Sequence, residues 1–205
     1  MSSIRFIIFD MDEVFYDYNH KVRLRLLEEL TGKPAIEIDE AVWGGPHEAV
    51  AEAGIPDTAE GYLQQYGKLL GYPIDFKTWT DIRRQMMRGR EQMFLLAKNL
   101  KHHSDLALLT NNGMMLKAAL PECAPEMIDI FGKMAHVSAE FKARKPDPVV
   151  YERVCSGYGY TPEQSLFIDD RLENVEGAQK AGLSGHHFQS YGNLLEDLKK
   201  FGFPI

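Results

Sequence analysis

A short apolar run that ends in two carboxylates constrains this chain more than any other stretch. Arg5-Phe6-Ile7-Ile8-Phe9-Asp10-Met11-Asp12-Glu13 opens with four large apolar residues in a row. That pattern suits a parallel strand buried on both faces. On an extended strand, positions two apart point the same way, so Asp10 and Asp12 share one face at the strand's carboxyl end. In open α/β sheets that edge is where ligands bind. Two carboxylates held close require a cation between them or a shared proton. A buried strand running into an Asp-rich turn would explain the same residues. The chemistry therefore depends on whether the rest of the chain supplies a cation site and an anion clamp.

The chain has 205 residues, enough for one domain carrying a modest insertion. Its net charge of −7 argues against nucleic acid or an anionic membrane surface as partner, since both need clustered positive charge. The two cysteines, Cys123 and Cys155, form no CxxC pattern or disulfide framework, which fits a reducing cytoplasm. Met1-Ser2-Ser3 leads straight into the first strand, so no signal peptide is expected, and no apolar run is long enough to span a bilayer.

Helical spacing dominates from 20 to 96. Leu24, Leu27 and Leu30 form one stripe that stops at Gly32 and Pro34. Further helices are expected over 36–42, 47–53, 58–70, 76–88 and 91–100, with Thr58 capping the fourth. The aromatic stretch Phe15-Tyr16-Asp17-Tyr18-Asn19 reads as a turn, and no clear strand is expected in this region. From Asp105 the pattern changes: apolar strands at 106–110, 136–138, 165–168 and, more weakly, 185–189 alternate with helices. Such alternation implies a parallel sheet covered by helices on both faces. The expected fold is α/β, a Rossmann-like three-layer parallel-sheet core with an inserted α-helical cap. Residues 1–16 and 98–205 form the core and 17–97 the cap.

Four features fall at the ends of expected strands: Asp10 with Asp12, Thr110 with Asn111, Lys145 in Arg144-Lys145-Pro146-Asp147-Pro148, and Asp169-Asp170 followed by Asn174. A parallel sheet brings those ends to one edge. Carboxylates from two strands can hold Mg²⁺, which prefers oxygen ligands. Lys145 adds a fixed positive charge, and Thr110 and Asn111 add short neutral donors. Such a set suits a phosphoryl group and its charge-rich transition state.

These motifs, together with Leu109-Thr110-Asn111 and Phe167-Ile168-Asp169-Asp170-Arg171-Leu172-Glu173-Asn174, resemble those of the haloacid dehalogenase superfamily, in the branch whose helical cap follows the first strand. Lys145-Pro146-Asp147-Pro148 and the Phe167–Asn174 motif are similar to those of sugar-1-phosphate phosphatases and the N-terminal domain of soluble epoxide hydrolases. The resemblance covers the core half of the chain and matches the cap in position and helical character. It implies that Asp10 attacks phosphorus to form an aspartyl-phosphate and that Asp12 serves as general acid and base. It also implies that Thr110 and the Asn111 backbone bind phosphoryl oxygens and that Lys145 neutralises nucleophile and phosphate. Mg²⁺ would be held by Asp10, the Asp12 carbonyl and Asp170. Asp169 is the second choice as ligand, expected rather to bind a metal water or orient Lys145, and Asn174 supports the loop. Glu13 departs from the family, which usually has Gly there. A tight turn is easier with Gly, and a solvated surface Glu is the plain reading of Glu13.

The activity implied is a Mg²⁺-dependent phosphatase for a small phosphorylated metabolite, a sugar phosphate being one option, in a monomer or homodimer. A phosphomutase, a 2-haloacid dehalogenase and a non-catalytic phosphate-binding module are the alternatives. Asp12 argues against dehalogenation. Thr110 and Asn111 could instead cap the following helix. In the cap, Trp43-Gly44-Gly45-Pro46-His47 breaks a helix and could present Trp43 and His47 to the substrate. His102-His103 and His186-His187 lack spaced carboxylate partners and are expected at the surface or sheet edge.

Overall fold

The computed structural model describes residues 4–205, so the expectation about Met1-Ser2-Ser3 lies outside the described residues. The first strand, β1 (Phe6–Phe9), is followed by a short strand β2 (Tyr16–Tyr18). Five helices come next: α1 (His20–Thr31), α2 (Ala35–Trp43), α3 (His47–Glu52), α4 (Ala59–Leu70) and α5 (Phe76–Gln85). Strand β3 (Met87–Gly89) then pairs antiparallel with β2, closing the insertion. The rest alternates: α6 (Glu91–Leu100), β4 (Asp105–Thr110), α7 (Met114–Cys123), α8 (Pro125–Phe131), β5 (Ala135–Val137), α9 (Pro148–Gly157), β6 (Ser165–Asp169), α10 (Leu172–Lys180), β7 (Ser184–His187) and α11 (Tyr191–Lys200).

The main sheet is parallel throughout and runs β5-β4-β1-β6-β7. β1 is central because its side chains can be buried on both faces. Ile7 and Phe9 enter one core, and Phe6 and Ile8 the other. This is the two-residue period of a strand. All four are fully buried, and each contributes roughly 1.5–3 kcal/mol of apolar transfer. The core on the Ile7–Phe9 side runs without a break into the insertion through Leu27, Tyr66 and Trp79. Helices α4 and α5 pack on α7, which seats the insertion over the carboxyl edge of the sheet.

Local caps explain several boundaries. Thr58 accepts a hydrogen bond from Gly61 N as expected, Asp75 does the same for Thr78 N, and Asn19 caps α1. Two expectations are corrected. The aromatic turn contains a strand, and the helix expected over 76–88 stops at Gln85, where the chain turns into β3. Three-residue strands are too short to show a period, and their pairing is fixed from outside by Arg90. Helix α6 packs against α8, which in turn contacts β4 and β5. His186 is also corrected: it lies at the edge strand β7 but is buried, with Nδ1 2.7 Å from Asp197 Oδ2. Its partner comes from α11, eleven residues on, beyond any local spacing rule. His102 and His103 are exposed. Among the described residues no helix is long and apolar enough to cross a membrane.

Helix α10 approaches the segment after Lys145 so closely that a Cβ on Gly177 would sit 2.2 Å from the Pro146 carbonyl oxygen. Gly177→Ala should therefore cost about 1–3 kcal/mol, measured as a lower urea midpoint. Gly192→Ala, where a Cβ meets nothing within 4 Å, should leave the midpoint close to that of the unaltered protein.

Candidate active site

The register of the central strands decides which side chains meet. Phe9 pairs with Leu108 of β4 and Ile168 of β6. Asp10, Thr110 and Asp169 therefore emerge together at the carboxyl edge. Lys145 reaches them from the segment between β5 and α9. Its Nζ lies 2.7 Å from Asp169 Oδ2 and 2.8 Å from Asp10 Oδ1. Asp10 Oδ1 is buried and is held by this ion pair alone. Burial works against the Lys145 charge, but Asp10 and Asp169 outweigh it and hold the ammonium above its ordinary pKa.

Asp169 is fully buried and saturated. Oδ1 accepts from Arg171 N at 2.8 Å and Asn174 Nδ2 at 3.1 Å, and Oδ2 accepts from Lys145 and from the same Asn174 nitrogen. It positions Lys145 with the help of Asn174. Asp10 and Asp170 are left with oxygens to offer. Burial pushes the Asp10 carboxyl well up, against the pull of Lys145, and Asp169 adds to the rise. Burial and then Asp169 push Asp170 up to about 6. His187 Nε2 lies 2.9 Å from the Asp170 carbonyl, fixing that loop.

One oxygen or carboxylate atom from each of Asp10, Asp169 and Asp170 lies within 4.8 Å of the others. An orphaned buried oxygen and two carboxyls with raised pKa values are what a hard cation would relieve. The all-oxygen set fits Mg²⁺ and disfavours metals that seek thiolate. Both cysteines are buried elsewhere.

Asn111 does not cap a helix. Its Nδ2 donates to the Lys145 carbonyl and its Oδ1 accepts from the Lys145 amide, both at 2.9 Å. The N-cap of α7 is Gly113, without a side-chain bond. The Thr110 hydroxyl accepts from Asn112 Nδ2 at 3.0 Å, which leaves its own O–H to donate. Asp10, Thr110, Asn111, Lys145 and Asp170 line a cavity of about 220 Å³. A wider groove, about 640 Å³ along α4, holds none of these residues, so size alone does not locate the chemistry.

Asp12 receives a partner that the sequence reading did not single out. Arg83 Nη2, from α5, lies 2.8 and 2.7 Å from its two carboxylate oxygens. The available signal was a charged residue on the buried Trp79-Ile82-Arg83 face of an amphipathic helix. Arg23 likewise occupies the inner face of α1, while Leu24 is half-buried. Trp43 lines a second cavity of about 170 Å³ that shares Asp12, Tyr18 and Asn111 with the first. His47 lines neither; its Nδ1 is 3.2 Å from Gln65 Nε2 in a small cleft of the insertion.

Glu13 keeps the tight turn with φ of 58°, the left-handed region. Its Oε1 accepts from Tyr18 N at 3.0 Å, Oε2 pairs with Arg90 at 2.9 Å, and Arg90 also donates to its carbonyl. These bonds offset the strain, on the order of 1–3 kcal/mol. The residue is tied down while its side chain stays 44% exposed.

Residues 4–182, most of the chain, match the family model of the haloacid dehalogenase-like hydrolases. The chain belongs to that family. This hydrolase is 24% identical over 217 aligned positions to a Mycobacterium tuberculosis protein named phosphatase MT3486, covering 98% of this chain and 96% of that one. It is 39% identical over 62 residues to flavin mononucleotide hydrolase 1 of Arabidopsis thaliana, a match spanning 30% of this chain and a quarter (25%) of the relative. In fold it is similar to a HAD family enzyme from Bacteroides thetaiotaomicron, solved in complex with magnesium and inorganic phosphate. The TM-score is 0.76 at 20% identity, covering 93% of this chain and 98% of that one.

The ion bridge predicts a stability effect. Lys145→Met leaves Asp10 and Asp169 uncompensated and should lose about 3–5 kcal/mol in urea denaturation with chelator present. Mg²⁺ should restore more stability to the variant than it adds to the unaltered hydrolase. Equal stabilities would show that the bridge holds nothing together.

Proposed function

We propose that this hydrolase is a Mg²⁺-dependent phosphatase that cleaves a small phosphorylated metabolite through an aspartyl-phosphate on Asp10. The observation that carries the reading is the buried Lys145, wedged between a saturated Asp169 and an Asp10 whose Oδ1 lacks a hydrogen-bond partner. The wedge aims a carboxylate nucleophile at the cavity and supplies the charge that lets an anionic phosphoryl group approach it.

The two half-reactions balance on this chain's own residues. An Asp10 carboxylate oxygen attacks phosphorus as the bond to the substrate's alcohol oxygen breaks. Asp12 gives that oxygen a proton. In the second half Asp12 takes a proton from water, the water oxygen attacks phosphorus, and the bond to Asp10 breaks to release inorganic phosphate. Thr110 donates its hydroxyl hydrogen to a phosphoryl oxygen, with the Asn111 amide beside it. Lys145 holds the nucleophile in place and compensates the transferred charge. Mg²⁺, held by Asp10, Asp170 and the Asp12 carbonyl, would supply further charge neutralisation at the phosphoryl oxygens. Trp43 lines the leaving-group side, whereas His47 acts through the packing of the insertion. The phosphatase name of the M. tuberculosis relative and the magnesium and phosphate in the Bacteroides neighbour support this reading. Buried thiols at Cys123 and Cys155 fit a cytoplasmic location.

Phosphate release from a generic aryl phosphate should require Mg²⁺ and stop with chelator. Asp10→Asn should abolish release, and Asp12→Asn should slow turnover by about 10²–10⁴-fold while phosphoenzyme accumulates. Substantial turnover in Asp10→Asn would remove it as nucleophile. Transfer to a bound intermediate without free phosphate would make the protein a mutase.

A further inference from the structure

The insertion carries two buried guanidinium groups whose charges the phosphatase chemistry does not use. Arg23 is 5% exposed and Arg83 2% exposed. Both converge on one aromatic ring: their guanidinium carbons lie 5.7 and 4.8 Å from the Tyr18 ring centroid, and Arg23 is also 5.1 Å from that of Trp43. Two like charges brought this close in a desolvated place are costly unless something anionic joins them.

Asp12, Glu48 and Glu52 line the same cavity, but they meet that need only in part. Asp12 engages one nitrogen of Arg83, while Arg83 Nε remains buried with no partner. Glu52 is taken by Arg144 at 2.6 Å. Glu48 accepts from the Tyr62 hydroxyl at 2.8 Å and feels the charge of both arginines, but it forms no direct ion pair with either. Among the described residues Arg23 has no carboxylate within ion-pair reach; its Nε points at the Met86 sulfur, 3.1 Å away. Arg23 lines the 170 Å³ cavity beside Trp43 and Arg83.

That cavity adjoins the nucleophile. It shares Asp12, Tyr18, Glu52 and Asn111 with the cavity around Asp10, so an ester whose phosphorus sits at Asp10 sends its leaving group past Asp12 toward the arginines. At about 30 Å³ per water-sized group, the space suits a short chain of roughly five or six heavy atoms. A planar fork of donors favours carboxylate or phosphate.

We propose that Arg23 and Arg83 form a subsite for a second anionic group, a carboxylate or a phosphate, carried by the leaving alcohol of the substrate. This rests on the phosphatase reading and narrows it: the substrate is a small phosphomonoester with an acidic far end. Occupation of the subsite gives Arg83 a new anion and frees Asp12 to meet the ester oxygen. Neutral polyol phosphates leave Arg83 on Asp12 and are poorer substrates.

The test compares three probes: 3-phosphoglycerate, 1,3-propanediol bisphosphate and glycerol 3-phosphate. The unaltered hydrolase should show higher kcat/KM for one or both acidic esters than for glycerol 3-phosphate, and which of the two leads identifies the anion. Arg23→Gln should reduce that preference by roughly 10- to 100-fold, the loss of one charge-assisted contact. Arg23→Lys should keep part of it, so a general packing defect is separated from loss of charge. No preference in the unaltered protein, or a preference that survives in Arg23→Gln, overturns the subsite and leaves the phosphatase reading standing. If none of the three is hydrolysed, binding to Asp10→Asn protein by calorimetry carries the same comparison. Tighter binding of an acidic ester, lost on adding Arg23→Gln, supports the subsite; equal affinity for acidic and neutral esters overturns it.

Discussion

A single buried ammonium holds this active site together. Lys145 is 1% exposed and lies between two carboxylates that would otherwise repel each other. Each neighbour depends on it. Asp169 spends all its acceptor capacity on Lys145, Asn174 and the Arg171 amide, and Asn111 grips the Lys145 backbone from both sides. These residues come from β6, α10 and the end of β4, so one charge joins three elements at the sheet edge. The arrangement stays poised because Asp10 is not fully satisfied. A saturated carboxylate would be stable and inert, whereas a carboxylate held by one ion pair alone keeps lone pairs available to a cation or to phosphorus.

The sheet edge was legible because its signals are local. Phe6-Ile7-Ile8-Phe9, Leu106-Ala107-Leu108-Leu109 and Ser165-Leu166-Phe167-Ile168 are uninterrupted apolar runs, and each is followed at once by polar residues that a parallel sheet must place on one edge. Asp10, Thr110, Lys145, Asp169 and Asp170 meet there. Asp169 meets Lys145, Asn174 and the Arg171 amide there, and both its oxygens are occupied.

What the sequence hid depends on contacts between distant segments. β2 and β3 are three residues each and are recognisable by their pairing across some seventy intervening positions. Arg83 meets Asp12 across 71 positions. An arginine on an apolar helix face carries its signal in the mismatch with its neighbours, and the stripe at Leu24, Leu27 and Leu30 drew attention away from Arg23. His186 and Asp197 pose the same difficulty on a smaller scale. Glu13 shows the limit of a motif departure: its replacement of Gly was visible, but its partners Arg90 and Tyr18 N come from the folded ribbon.

The ribbon of β2 and β3 also bears on mechanics. The insertion is joined to the sheet by two chain crossings, and these are bonded side by side: Tyr16 pairs with Gly89 and Tyr18 with Met87. Arg90 stitches the joint further, reaching Asp17, the Glu13 carboxylate and the Glu13 carbonyl. Two separate strings would let the helical body swing, slide and twist. One stitched strap permits bending about a single axis and resists torsion. Because the strap is stitched to Glu13, next to Asp12, any tilt of the helices is delivered as torque on the residue proposed to handle the proton.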